Sequence, residues 1–213
     1  MTKENLFFDY GGLIVNYDFN KQTLFRAHNL ALRYINSATS QAIELADLSN
    51  AHDSAIQAYL QARKDNSEWS MDRIMGLMLN NLGVGKRVSM PRVSLIYKLN
   101  DHDVSLKGNA LEVLNGLSRT SRLNIITNLP HDSVLYELQK FGMLGFFSTI
   151  TMSHEVGFRK PRPEIYLEAI RRANATPRNS VFISHDIKEV KGAEAVGMEG
   201  VLADSVEEMI GIT

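Results

Sequence analysis

The chain has 213 residues, of which 44% are hydrophobic and 22% are charged, as in a globular protein with one large domain or a core domain carrying an insertion. A net charge of −1 argues against nucleic-acid or anionic-membrane partners, and no apolar run reaches the ~18 residues of a membrane span. The absence of cysteine excludes disulfides, thiolate catalysis and cysteine-ligated zinc, and the polar start Met1–Asn5 is unlike a signal peptide, so we expect a cytoplasmic location.

The stretch Leu6–Val15 begins as a buried apolar strand that runs into Asp9 and then into Gly11 and Gly12. Because a carboxylate costs free energy inside a core, we expect Asp9 at the carboxyl edge of the strand, facing a cleft. The two glycines permit a tight turn whose amides face whatever Asp9 binds or attacks. Taken alone, the pattern fits equally well an aspartate that ends a strand in an Asx turn.

Residues 16–100 are predicted to form an all-helical block, because apolar residues recur at helical spacing and strand signals are few. Within it we expect the large side chains to form a bundle core, namely Tyr59, Trp69, Met71, Met75 and Met78. Three isolated histidines are expected at surface or capping positions, namely His28, His52 and His102. The predicted helices are Leu24–Ile35, Ser40–Arg63, Ser70–Asn81 and Pro91–Tyr97.

The rest of the chain alternates helices with strands, a pattern typical of a parallel sheet covered on both faces. We therefore predict a doubly wound, Rossmann-like α/β fold with the helical block inserted after the first strand. The predicted strands are 123–126, 147–152, 181–183 and 200–202. The predicted helices are 106–117, 134–141, 163–173 and 190–196.

Polar residues follow each predicted strand, and the carboxyl ends of parallel strands meet at one edge of a sheet. Each residue alone has a plainer explanation: Thr127 could be a cap, Lys160 a solvated lysine and Asp186 a helix cap. Their arrangement at successive strand ends predicts a shared site. The residues are Asp9, Thr127 and Asn128, Ser153–Glu155 leading to Lys160, and Ser184–Asp186.

These segments resemble the motifs of the haloacid dehalogenase superfamily. The first motif is matched by Phe8–Leu13, the second by Ile126–Asn128, the third and most specific by Ser153–Tyr166, and the fourth by Val181–Asp186 with the glycine-containing segment after it. The helical block lies where this family inserts its cap. The resemblance implies a core domain of residues 1–15 and 101–213 and a cap domain of residues 16–100.

The resemblance also implies site roles. Asp9 is expected to be the nucleophile that forms an aspartyl intermediate, with Thr127 and Lys160 as further catalytic residues. Lys160 would offset the negative charge where nucleophile and substrate meet. The expected metal ligands are Asp9, the carbonyl of Gly11 and Asp186. Substrate binding is expected from Gly11, Gly12, Asn128, Ser184 and His185.

The chain departs from the family's phosphatases at two positions. They usually carry a second aspartate, which protonates the leaving group, two residues after the nucleophile; here that position is Gly11. Their Mg²⁺ is usually held by an aspartate in the fourth motif, where this chain has Ser184. Because Mg²⁺ prefers anionic oxygen ligands, we predict weak Mg²⁺ binding unless Asp186 or Glu189 compensates.

These features favour a hydrolase with an aspartate nucleophile, acting as a phosphatase of a small phosphorylated metabolite. Two alternatives remain open. One is a metal-independent haloacid dehalogenase-type hydrolase, which has a serine in the fourth motif. The other is a catalytically reduced member that binds a ligand. We expect a small-molecule substrate, no nucleic-acid or membrane partner, and a monomer or homodimer.

Overall fold

A computed structural model describes residues 4–210, which divide into two compact units. One unit contains the described residues up to Tyr17 together with those from Val104 onward, and the other is Asp18–Asp103. The boundaries between the two units lie a few residues after the predicted domain boundaries, because two short strands flank the helical unit. No described helix is long and apolar enough to cross a membrane.

The first unit is built on a five-stranded parallel sheet, which confirms the predicted α/β class. The strands of the structure are β1 (Asn5–Phe8), β2 (Val15–Asp18), β3 (Asp103–Leu106), β4 (Arg122–Thr127), β5 (Phe147–Met152), β6 (Ser180–Ser184) and β7 (Glu199–Leu202). The strand order of the sheet is β5-β4-β1-β6-β7, and β2 and β3 form a separate two-stranded sheet. Phe8 at the end of β1 lies level with Ile125 and Ile183 on the neighbouring strands.

Helices cover both faces of this sheet, and successive buried residues of β1 pack into different apolar clusters. Leu6 and Phe8 belong to one cluster with residues of the helices Ala110–Leu117 and Ser133–Lys140, whereas Phe7 belongs to a second cluster with residues of the helices Pro163–Arg172 and Ile187–Ala195. The helices of this unit are α5 (Ala110–Leu117), α6 (Ser133–Lys140), α7 (Ser153–Val156), α8 (Pro163–Arg172) and α9 (Ile187–Ala195). Those of the other unit are α1 (Lys21–Thr39), α2 (Leu45–Ala62), α3 (Met71–Asn81) and α4 (Met90–Asn100).

Two predicted helices begin at later residues than expected, and the structure contains elements that were not predicted. The helix predicted from Leu106 begins at Ala110, because Asp103–Leu106 is a strand paired with β2. The helix predicted from Ser40 begins at Leu45, because Ser40 ends α1 in the left-handed conformation with φ 52°. The short helix Ser153–Val156 was not predicted.

The helical unit has its own core, in which Tyr59, Met71, Met75 and Met78 are buried as expected and Trp69 is partly buried against them. The prediction for the three histidines was wrong. His28, His52 and His102 are only 5%, 7% and 6% exposed. His52 stacks on Tyr97 at 5.0 Å between ring centroids, and His28 meets His52 edge-on. Helical spacing alone did not distinguish these buried imidazoles from solvated ones.

We expect acid to destabilise the helical unit through His52. Burial and the nearby His28 lower the pKa of His52 to about 4, against the opposing pull of Asp53 and Asp101. The unfolded chain binds the His52 proton more readily than the folded protein. The contribution of His52 to stability is therefore fully present above the ordinary pKa of 6.5 and is lost as the pH drops towards 4. We expect a loss of about 1–3 kcal/mol between pH 7 and pH 4.5.

The measurement is denaturant unfolding of the whole protein at both pH values. His52→Phe keeps the stacked ring and removes the titration, so its unfolding midpoint should change less with pH than that of the wild type. An identical pH dependence in the two proteins would exclude His52 as the cause.

Candidate active site

Asp9 lies directly after β1, at the carboxyl edge of the sheet. Its amide donates to the carbonyl of Ile183 at 2.8 Å, so the β1–β6 ladder fixes its backbone. The side chain is 7% exposed. Its Oδ1 accepts hydrogen bonds from the Tyr10 amide at 2.8 Å and from Lys160 Nζ at 2.6 Å. Burial raises the pKa of Asp9, but the charge of Lys160 and the hydrogen bond with His185 outweigh it and hold the pKa below its ordinary value.

Lys160 is the buried cation of the site, with a side chain that is 0% exposed. Its backbone amide donates to Asn128 Oδ1 at 2.8 Å, which ties the third motif to the end of β4. Its Nζ contacts Asp9, Glu189 at 2.8 Å and the carbonyl of Ile126 at 2.9 Å. Burial lowers the pKa of Lys160, but the two carboxylates raise it above its ordinary value. The plainer explanation of Lys160 as a solvated lysine is therefore excluded, and the ammonium is a fixed charge.

Glu189 lies in the first turn of α9. The sequence suggests it only as a substitute metal ligand, whereas its carboxylate contacts Lys160 and accepts hydrogen bonds from Ser184 Oγ at 3.0 Å and from Asn128 Nδ2 at 2.8 Å. Burial raises its pKa, with the charge of Asp9 acting against the pull of Lys160. Of the two carboxylates that share Lys160, Asp9 is therefore the one that stays ionised to lower pH.

Ser184 and His185 face the second oxygen of Asp9. Ser184 Oγ, whose single proton is shared with the nearer Glu189 carboxylate, lies 3.3 Å from Asp9 Oδ2, and His185 Nδ1 lies 3.2 Å from the same atom. The imidazole is 43% exposed, so it connects the buried carboxylate to solvent. The hydrogen bond with Asp9 raises the pKa of His185 above its ordinary value, although partial burial opposes this.

The glycine turn packs closely against these side chains. Gly12 has φ +81°, and a Cβ added there would lie 2.5 Å from His185 Cε1, so only glycine fits beneath the imidazole. A Cβ on Gly11 would lie 3.1 Å from the ring of Tyr17. The carbonyl of Gly12 accepts a hydrogen bond from Lys107 Nζ at 2.6 Å. The turn is therefore fixed by packing against His185 and Tyr17 and by the hydrogen bond from Lys107.

Two predicted site residues lie outside this network of contacts. Thr127 is buried at the end of β4, beside β1, and its hydroxyl makes no hydrogen bond to any other residue of the range 4–210. Asp186 is half-buried, and its Oδ1 accepts a hydrogen bond from the Lys188 amide at 2.8 Å as the N-cap of α9. The plainer explanation of Asp186 as a cap thus describes its observed contact, whereas the Thr127 hydroxyl is available to a ligand.

Comparison with known proteins adds family evidence to this geometry. A family model described as haloacid dehalogenase-like hydrolase matches residues 6–203. A glyceraldehyde 3-phosphate phosphatase of Methanothermobacter thermautotrophicus is 35% identical over 89 residues, which are 41% of this chain and 39% of the relative. The chain spans less than half the length of the curated relatives it matches.

Two solved structures have a similar fold. A haloacid dehalogenase-family phosphatase from Thermococcus onnurineus has a TM-score of 0.61 at 18% identity, covering 98% of this chain and 97% of its own. A hydrolase of the same superfamily from Bacillus subtilis, bound to magnesium, has a TM-score of 0.57 at 18% identity, covering 100% of this chain and 99% of its own.

Proposed function

The chain belongs to the haloacid dehalogenase-like hydrolase family, and on this premise we propose that it is a phosphatase of a small phosphorylated metabolite with Asp9 as its nucleophile. The observation that carries the proposal is the Asp9 carboxylate, kept ionised by Lys160 at the end of β1. The name of the glyceraldehyde 3-phosphate phosphatase supports a phosphorylated sugar as the substrate class.

In this proposal an Asp9 oxygen attacks phosphorus, the ester oxygen leaves, and water then hydrolyses the aspartyl phosphate. Lys160 offsets the charge of the carboxylate and the approaching phosphate, since its Nζ already lies 2.6 Å from Asp9 Oδ1. The free hydroxyl of Thr127 and the backbone amides of Gly11 and Asn128 would hold phosphate oxygens. The Gly12 amide, expected to bind substrate, instead donates to the carbonyl of Val15 at 2.8 Å. The helical unit Asp18–Asp103 would act as the cap that selects the substrate and excludes water.

The donor set beside Asp9 does not fit a Mg²⁺ ion. The carboxylates of Asp9 and Glu189 both contact the Lys160 ammonium, and Asp9 Oδ2 faces Ser184 and the imidazole of His185. Asp186 caps α9, and residues 4–210 contain no cluster of three histidine or carboxylate side chains suited to a metal ion. Mg²⁺ requires a nearly octahedral shell of oxygen ligands. We therefore propose a phosphatase in which Lys160 supplies the positive charge.

We expect Ser184→Asp to create Mg²⁺ affinity, because the new carboxylate would stand beside Asp9 Oδ2, where Ser184 Oγ now lies at 3.3 Å. Addition of Mg²⁺ at about 100 times its Kd for this variant should stabilise the variant by about 2.7 kcal/mol and leave the wild type nearly unchanged. Ser184→Asn is the matched control, with similar shape and no added charge. Equal Mg²⁺ stabilisation of wild type and Ser184→Asp would contradict a weak native site.

The proposed function is tested by phosphate release from p-nitrophenyl phosphate and a panel of triose and pentose phosphates, with EDTA and with Mg²⁺. We expect turnover in EDTA and preference for one sugar phosphate. Absence of turnover under every condition would overturn the proposal.

The contact between Ser184 and Asp9 also favours a second candidate, displacement of halide from a 2-halo acid without metal. Such a substrate carries no phosphate dianion for a metal to neutralise. Halide release from 2-chloropropionate in EDTA, together with no phosphate release, would select this function instead.

A further inference from the structure

The first step of the proposed reaction lacks an evident proton donor. An alkoxide leaving group is a strong base, and protonating it in the transition state contributes typically 10²–10⁴-fold in rate. Gly11 has no side chain to supply that proton. The groups closest to Asp9 do not replace it, because Lys160 is 0% exposed and bound to two carboxylates, and Glu189 is committed to Lys160, Ser184 and Asn128.

His185 combines the properties that such a donor needs. Its Nδ1 lies 3.2 Å from Asp9 Oδ2, so the ring is held at the nucleophile. The ring lies over the glycine turn, where an added Gly12 Cβ would come within 2.7 Å of Nε2. Its side chain is 43% exposed, and Nε2 has no hydrogen-bond partner among the described residues 4–210. The Nδ1 contact fixes the ring so that Nε2 is the nitrogen free to exchange a proton.

Two other polar side chains lie beside the turn, namely Lys107, whose Nζ donates to the carbonyls of Gly12 and Asp204 at 2.6 Å each, and Tyr17. Its ring contacts Gly11, but its hydroxyl donates to Glu137 at 2.7 Å. Burial and the charge of Glu137 raise the pKa of Tyr17 far above its ordinary value. Tyr17 therefore fills the space beside Gly11 without supplying a proton, and His185 is the remaining candidate.

We propose that His185 is the general acid and base of this site, an inference that rests on the proposed phosphatase function. In the first step an Asp9 oxygen bonds to phosphorus, the bond from phosphorus to the ester oxygen breaks, and the Nε2 proton passes to that oxygen. An alcohol leaves, and His185 becomes neutral. In the second step water bonds to phosphorus, Nε2 takes its proton, and the bond to Asp9 breaks. Hydrogen phosphate leaves, and the Asp9 carboxylate and His185 imidazolium are restored.

The test compares leaving groups in His185→Gln and His185→Ala. 2,4-Dinitrophenyl phosphate needs no proton on its leaving oxygen, whereas a sugar phosphate does. We expect both variants to lose about 10²–10⁴-fold in kcat/KM, which reports the first step, on the sugar phosphate but less than about tenfold on the dinitrophenyl ester. Added imidazole should partly restore His185→Ala on the sugar phosphate only.

An equal loss of kcat/KM on both esters would overturn the proposal, because a residue that only positions Asp9 affects the first step with every leaving group alike. An unchanged rate on the sugar phosphate would overturn it as well. Failure of the proposed function is a different result, in which the wild type releases phosphate from neither ester.

Discussion

Replacing Asp9 by asparagine is expected to reduce phosphate release at least about 10⁴-fold on every ester, because the amide cannot form the aspartyl intermediate. The loss should not depend on the leaving group, which separates it from the effect of His185 variants. Asparagine can still accept hydrogen bonds from the Tyr10 amide and Lys160 through its one carbonyl oxygen. The site geometry should therefore persist.

The measurement is kcat, together with mass spectrometry of protein quenched in acid during turnover. A phosphoryl adduct should appear on the Asp9 peptide of the wild type and be absent from Asp9→Asn. Asp204→Asn is the control, since this exposed aspartate follows β7 and its carboxylate takes no part in the site. Equal rates in Asp9→Asn and wild type would show that the activity belongs to another enzyme or that Asp9 is not the nucleophile.

The position of Asp9 could be predicted from the sequence because its signals are local. A buried apolar run ending in a carboxylate indicates the carboxyl end of a strand, and the alternation of strands and helices after residue 106 indicates a parallel sheet. The same reasoning brought Ser184 and His185 to the edge near Asp9. It could not show that Glu189 and Asp9 share Lys160. The contact between Glu189 and Lys160 joins α9 to the third motif, and it depends on how these distant segments pack in the fold.

The strands β2 and β3 were missed for a related reason. Each has four residues, each alternates between exposed and less exposed positions, and they pair with one another across the entire helical unit. Such short segments carry almost no periodic signal, and their stability comes from a partner that is distant in sequence. The stack of His52 on Tyr97 likewise joins two helices and has no local signature.

Replacing Lys160 by methionine is expected to lower the free energy of unfolding by about 3–5 kcal/mol, because two buried carboxylates lose their only close ammonium among residues 4–210. Phosphatase activity should fall as well, because without the ammonium the Asp9 carboxylate would be protonated more readily at neutral pH. The stability difference from the wild type should be largest near pH 7 and should narrow below about pH 4. Wild-type Asp9 has a lowered pKa and loses stabilisation as the pH falls below its ordinary value of 3.8. In the variant the carboxyl pKa is raised, so the penalty grows as the pH rises.

Denaturant unfolding of a double-mutant cycle measures this coupling. Glu189→Gln removes one charge and keeps one acceptor oxygen for Asn128 Nδ2, while its new amide NH2 can donate to Ser184 Oγ, so adding it to Lys160→Met should restore part of the lost stability. In the wild-type background the same change leaves Lys160 paired with Asp9 alone and should destabilise. This opposite sign in the two backgrounds is the signature of a shared buried charge. Additive effects of the two substitutions would show instead that Lys160 and Glu189 act independently, and that the fixed cation beside Asp9 does not depend on the carboxylate from α9.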